Sequence, residues 1–181
     1  MFKIFFSYIF LIFFSVNLLA ENSFISKIET LASEGFDDAQ LNLARIYANG
    51  EFVDQDFVLA EYWYRKSANQ GNINAQYQLG RMYDVGLGVD VDKKEAFNWY
   101  KLSAEQGSIE AQYNLGLAYR FGIGVDQNFT QSLKWYKQSA SKGHSGAQYN
   151  LNLLFEEGLA LSLIHISEPT RPLYISYAVF C

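Results

Sequence analysis

Ser139-Ala140-Ser141-Lys142 spells S-x-x-K, the arrangement that supplies a serine nucleophile and a neighbouring lysine in penicillin-recognising enzymes. No S-D-N or K-T-G accompanies it, and the same place earlier in the chain reads Ser67-Ala68-Asn69-Gln70 and Ser103-Ala104-Glu105-Gln106. The motif therefore falls at a helix end that recurs for structural reasons. Gly86-x-Gly88 and Gly122-x-Gly124 have the spacing of phosphate-cradling loops, but they follow predicted helices rather than strands and read as turns. Asp54, Asp90 and Asp126 each stand two residues before a helix cap and lack the further oxygen ligands of a calcium loop. Asn128-Phe129-Thr130 is a glycosylation sequon by pattern, and Asn128 is better used as a cap. His144 is the sole histidine before residue 160, which argues against a histidine-based catalytic set. The expectation is a chain with no catalytic residues, no metal site and no cofactor.

The elements that position these residues recur at a step of 36. Ala-Gln stands at 39–40, 75–76, 111–112 and 147–148, and Trp-Tyr at 63–64, 99–100 and 135–136. Leu43, Leu79, Leu115 and Leu151 keep the step, as do Tyr47, Tyr83, Tyr119 and Phe155. A period of this length marks an array whose units bury their apolar faces only against neighbours. Within the second unit, Ala75, Leu79, Met82 and Tyr83 form one helical face, closed by Gly86. Asp92 with Glu95 reads as a capping box for a second helix that buries Ala96, Trp99, Tyr100 and Ala104 and ends at Gly107. In the third unit Asn128 and Gln131 form the box, and Gly122 and Gly143 are the stops. The first has Asp56 as cap, with Gly50 and Gly71 as stops.

Small residues fall where helices must approach closely: Ala44, Gly80 and Gly116 on the first helices, Ala60, Ala96 and Ser132 on the second. Each Trp-Tyr pair sets one ring towards its own partner helix and the other towards the next unit. Residues 21–35 fit the register of an orphan second helix, with Ala32 and Gly35 at the places of Ala68 and Gly71, and should cap the first unit. The fold class is all-α, a stack of antiparallel helix pairs.

These residues together resemble the Sel-one-like repeat family, a relative of tetratricopeptide repeats. The pattern here is A-Q-x-x-L-G-x-x-Y-x-x-G-x-G-V-x-x-D, then A-x-x-W-Y-x-x-S-A-x-x-G. The second and third units match it closely. The first departs at Ala44 and Phe52, and the fourth at Asn152, Phe155 and Ala160. The resemblance implies a right-handed α/α superhelical solenoid and a role as a protein-binding adaptor. It also implies that the face opposite the core of each first helix lines a groove. That face carries Leu41, Arg45 and Ala48, then Tyr77, Arg81 and Asp84, then Tyr113, Leu117 and Arg120, then Tyr149. Such a ladder would suit a peptide with apolar and acidic residues, since Tyr and Arg are common interface anchors. The alternative is that the tyrosines pack between adjacent units and the arginines are solvated. Cysteine-rich members of the family, reported to hydrolyse β-lactams, carry paired cysteines in each repeat that this chain lacks.

The ends differ from the array. Residues 1–20 have Lys3, an apolar run from Ile4 to Val16 and a boundary at Ala20, which reads as a cleaved secretory signal peptide. An uncleaved membrane anchor is the alternative. Both prolines, the single cysteine and one of the two histidines lie after Ala160. Leu161–Arg171 (LSLIHISEPTR) and Ile175–Cys181 (ISYAVFC) read as translated sequencing-library adapter, so 161–181 is expected to be artefact and the fourth repeat to be truncated.

The organisation expected is thus a signal peptide at 1–20, a cap at 21–35, repeats at 36–71, 72–107, 108–143 and 144–160, and adapter-derived residues from 161. Across the chain 14 Lys and Arg face 19 Asp and Glu, a net charge of −5 without a basic stripe, which argues against nucleic acid as a partner. The expected function is a non-enzymatic adaptor, periplasmic or secreted, binding an unidentified protein or peptide. With the N-terminal segment uncleaved it would be a membrane-tethered regulator or assembly factor, and membrane contact enters only in that case.

Overall fold

A computed structural model describes residues 23–156 together with Gly158. The expected signal segment and the 161–181 segment lie outside the described residues. Helix α1 covers 23–34. It is followed by α2 (Asp37–Asn49), α3 (Phe57–Asn69), α4 (Ile73–Val85), α5 (Lys93–Glu105), α6 (Ile109–Phe121), α7 (Phe129–Ser141) and α8 (Ser145–Glu156). Every regular element among the described residues is helical, and each packs on its neighbours in the chain. The fold is an all-α repeat solenoid.

Its core is a row of clusters. Ile28, Leu31 and Ala32 of α1 close over Ala39 and Leu43 of α2, with Trp63 of α3 beside them. The next cluster joins Ala44 and Tyr64 to Leu79, Met82 and Trp99. The one after joins Ala96 and Tyr100 to Leu115, Ala118 and Trp135. The tyrosine of each pair faces its own partner helix. The tryptophan reaches back to the preceding unit rather than forward to the next, so the expected direction is reversed. A tryptophan on the second helix can close the seam behind it, because the preceding second helix is the older face of that seam.

Helix ends follow backbone chemistry. Asp56, Asp92 and Asn128 accept from free amides of α3, α5 and α7. The expected boxes close on one side only. Glu95 does not reach back to the cap; its Oε1 accepts from Trp99 Nε1 at 2.9 Å, an alternative that satisfies a half-covered indole donor. At their C-terminal ends the second helices α3, α5 and α7 are capped by Gln70, Gln106 and Lys142, and the glycines expected as stops lie one residue further on. Asn72 and Ser108 cap α4 and α6, and at the matching place His144 Nδ1 accepts from Ala147 N at 3.1 Å.

Two glycine types are dictated by packing. A Cβ on Gly80 would stand 2.7 Å from Tyr100 Cδ1 and 3.3 Å from the Ala96 carbonyl oxygen, and one on Gly116 would meet the Tyr136 ring. Gly88 adopts φ 71°, and a Cβ there would run into the Phe57 backbone of the preceding unit. Phe52 holds the corresponding place in the first unit at φ 67°. It packs on Phe24 with ring centroids 6.0 Å apart. Among the described residues only α1 precedes that unit, so the side chain strikes no earlier α-hairpin there, and the ring contact offsets the left-handed backbone.

Overpacking a close helix contact costs about 1–3 kcal/mol, against about 1 kcal/mol gained by replacing glycine within a helix. Gly80→Ala is therefore expected to destabilise the chain in urea denaturation. Gly146→Ala, whose new methyl would meet only side-chain atoms at 3.2 Å and beyond, should cost less. A more stable Gly80→Ala would contradict the tyrosine contact.

Candidate functional site

The first helices and the starts of the second helices form recesses that recur at the same step. Between the first two units lies a recess of about 270 Å³, walled by Arg45, Phe57, Tyr64, Gln78, Arg81 and Leu87. Adding 36 to these positions gives Arg81, Lys93, Tyr100, Asn114, Leu117 and Ile123. All but the first of these line a second recess, of about 80 Å³, with Asp84 at the place of Ala48. One step further, Arg120 is buried and donates from Nη1 to Asn150 Oδ1 at 2.9 Å.

The candidate residues fall into three groups on this face. Arg45, Arg81 and Tyr149 are exposed, Tyr149 at 64%. Tyr77, Asp84, Tyr113 and Leu117 are half-buried. Tyr77 leans on Tyr100 with ring centroids 5.9 Å apart, and Tyr113 lies 6.0 Å from Tyr136 and stacks at 4.4 Å on His144. Leu41 and Arg120 are covered, Leu41 within the first core cluster. The face thus has one continuous register but variable depth. Tyr77 and Tyr113 are partly covered by these ring contacts, while Arg45 and Arg81 stand exposed on the same face.

Charge is distributed unevenly along the recesses. Lys93 Nζ bonds Asp84 Oδ1 at 2.6 Å and the Asp84 carbonyl at 2.5 Å, and Tyr100 donates to Asp84 Oδ2 at 3.5 Å. Burial pushes the Tyr100 phenol far up, and Asp84 adds to that. Burial also raises Tyr64, opposed by Arg45 and Arg81 nearby. Tyr136 is pushed up to about 12 by burial, with Arg120 opposing. These phenols are neutral donors at any physiological pH.

Other recurring residues prove to be structural. Ser139 is fully buried and donates to the Ile109 carbonyl at 2.9 Å, and Lys142 Nζ donates to the Gly107 carbonyl at 2.8 Å. The S-x-x-K serine is thus engaged in holding two helices together. Among the described residues no group of His, Cys, Asp and Glu gathers to hold a metal ion. Sequence reasoning missed Tyr64, Phe57, Lys93, Gln78 and Asn114 as wall residues. The signal was available, because each keeps the 36-residue step with a partner in the next recess.

A sequence profile of the Sel1 repeat matches residues 37–72, 73–108 and 109–144. Among solved structures, a protective antigen present in uropathogenic Escherichia coli strains and displaying an SLR fold superposes with a TM-score of 0.71 and 37% identity. The match spans 72% of this chain and 28% of the antigen, so this chain covers under a third of that protein. A Sel1 repeat protein from Oxalobacter formigenes gives a TM-score of 0.66 at 36% identity, over 70% of this chain and 96% of the other. Cysteine rich protein B of Helicobacter pylori gives 0.58 at 17% identity, over 70% and 94%, a likeness of fold alone. No curated protein matches the chain.

The raised phenols make alkaline stability a test of the packing. Tyr136 goes from an ordinary 10.0 to about 12, so the folded chain holds its proton more tightly than the unfolded one. Its contribution is complete below pH 10.0 and is lost as pH rises through about 12; Tyr100 acts in the same direction. Urea denaturation is expected to show stability falling over that window. Tyr100→Phe and Tyr136→Phe should each flatten the fall, and an unchanged slope would contradict the burial of these hydroxyls.

Proposed function

The chain belongs to the Sel1 repeat family, and from that premise we propose that it is a non-enzymatic adaptor holding a protein or peptide along its first-helix face. Sel1 repeat proteins generally work through protein contacts. The observation that carries the reading is the recurrence of a Tyr-floored recess at the repeat step, with Arg45 and Arg81 at the mouth of one and Leu117 and Ile123 in the wall of the next. A row of shallow recesses suits an extended partner, whereas a small substrate is held in one enclosed pocket with convergent polar groups. The candidate contacts are Arg45, Tyr77, Arg81, Asp84, Tyr113, Leu117 and Tyr149.

The place of action we propose is the bacterial envelope or the exterior, reached through the apolar segment at residues 1–20. The chemistry of that segment supports export, with cleavage after Ala20. A partner held there would meet the adaptor after translocation.

A photo-crosslinking amino acid at 45, 81 or 149 is expected to trap the partner in cells, and the same group at Tyr62 or Leu102 on the second helices is expected not to. Crosslinks confined to the second-helix positions would reverse the assignment. N-terminal sequencing of the exported protein is expected to begin at Glu21. A start at Met1 would make it a tethered regulator or assembly factor instead.

A further inference from the structure

Charged side chains at the second and third places on this face are engaged, and those at the first are in no ion pair. At the second, Lys93 pairs with Asp84, Tyr100 donates to Asp84, and Leu117 takes the place of Arg81. At the third, Arg120 donates to Asn150. In the first, Arg45 and Arg81 are exposed, and neither is in an ion pair among the described residues. Arg81 reaches only Gln78 Oε1, at 3.3 Å. Tyr64 lines the same recess and is 4% exposed. Both guanidinium groups line that recess with Tyr64 and act electrostatically on its hydroxyl. No Asp or Glu lines the recess, although acidic residues outnumber basic ones 19 to 14 along the chain.

Two exposed guanidinium groups in no ion pair, side by side in one recess, define what a ligand there would bring. Such a ligand is an anion with at least two acceptor oxygens, small enough for about 270 Å³ and reaching in past Phe57, Met82 and Leu87. We propose that the Arg45–Tyr64–Arg81 recess seats the carboxylate of an Asp or Glu side chain on a partner peptide. Arg45 and Arg81 bind the two carboxylate oxygens and the Tyr64 hydroxyl donates a further bond, the geometry in which guanidinium–carboxylate pairs are strongest. An apolar residue further along the same peptide lies over Leu117 and Ile123, where the one lysine of the recess, Lys93, is already paired with Asp84. The face thereby reads a motif with an order, acidic then apolar, rather than apolar surface in general. This inference rests on the adaptor reading above and adds the chemistry of one seat to it.

The test uses the full chain and a random dodecapeptide phage library. Enriched peptides are expected to share an Asp or Glu beside an apolar residue. Synthesised with that acid changed to its amide, such a peptide should bind about tenfold more weakly or worse, as expected for loss of a desolvated charge pair. Arg45→Gln and Arg81→Gln should erase the difference between acid and amide peptides while leaving the affinity for the amide peptide in place. That retained affinity also reports a folded face. Tyr64→Phe should narrow the difference without erasing it. Enriched peptides lacking an acid, or an acid preference that survives in the double arginine variant, would overturn the carboxylate seat and leave the adaptor reading standing. A library with no enrichment over background would overturn both.

Discussion

The array depends on how each turn between units is locked, and a buried amide does most of that. Gln40, Gln76 and Gln112 are each 4% exposed. Their Nε2 atoms donate to the carbonyls of Ala32, Ala68 and Ala104 at 3.0, 3.2 and 3.1 Å. Those carbonyls lie in the last turn of the preceding second helix, where each also accepts from the backbone amide of Gly35, Gly71 or Gly107 in the turn that follows. A second layer ties turn to turn, since Gln70 donates to Gln40 Oε1 at 2.8 Å and Gln106 to Gln76 Oε1 at 2.7 Å. Ser67, Ser103 and Ser139 add bonds to the carbonyls of Asp37, Ile73 and Ile109, across each helix pair. A buried amide left unpaired costs about 1–3 kcal/mol, so these residues tolerate few substitutes. Where the step brings Lys142 in place of glutamine, Gln112 Oε1 has no partner among the described residues, and Lys142 Nζ donates to the Gly107 carbonyl instead.

With the turns fixed, the rings fix the spacing. Tyr100 and Tyr136 come so near α4 and α6 that only glycine fits at 80 and 116. At the first unit the same place is Ala44, whose methyl is fully covered against the Tyr64 cluster. That unit is also the one whose recess is the larger, about 270 against about 80 Å³. The departure from the repeated spelling and the wider, uncompensated recess therefore sit side by side. An array can vary one unit in this way because each unit answers only to its neighbours.

The fold was legible because its determinants are local. A glycine at the left-handed position of Gly50, Gly86 and Gly122, a cap at Asp56 or Asp92, and apolar residues at three- and four-residue spacings each act within a few residues. Depth on the candidate face was not legible, because it depends on partners far along the chain. Arg81 and Leu117 share a register, as do Asp84 and Arg120, yet Arg120 is covered through Asn150, thirty residues on. Leu41 and Tyr149 also share a register, and one is 5% and the other 64% exposed. Helical periodicity ranks the faces of one helix and carries no information about what the next unit lays over them. The capping boxes failed for a related reason: Glu95 had a competing donor in Trp99, one turn along the same helix.

Phe52 shows how an end of an array escapes the rule that governs its middle. Gly88 and Gly124 are pressed on the backbone of Phe57 and Lys93, so a side chain there must strike the preceding unit. Among the described residues the first unit is preceded by α1 alone, and Phe52 in its equivalent loop is 56% exposed, so that loop has room. A phenylalanine at φ 67° is strained in that room, and the offset comes from Phe24, which its ring meets edge to face. That contact joins the first loop to the helix covering the array, a connection no glycine could make. The same substitution one unit on, at Gly88, would have to displace the start of α3, and with it Phe57 in the wall of the recess that Arg45 and Arg81 guard. Glycine at 88 therefore maintains the binding face as well as the stack, whereas residue 52 serves only the end of the rod.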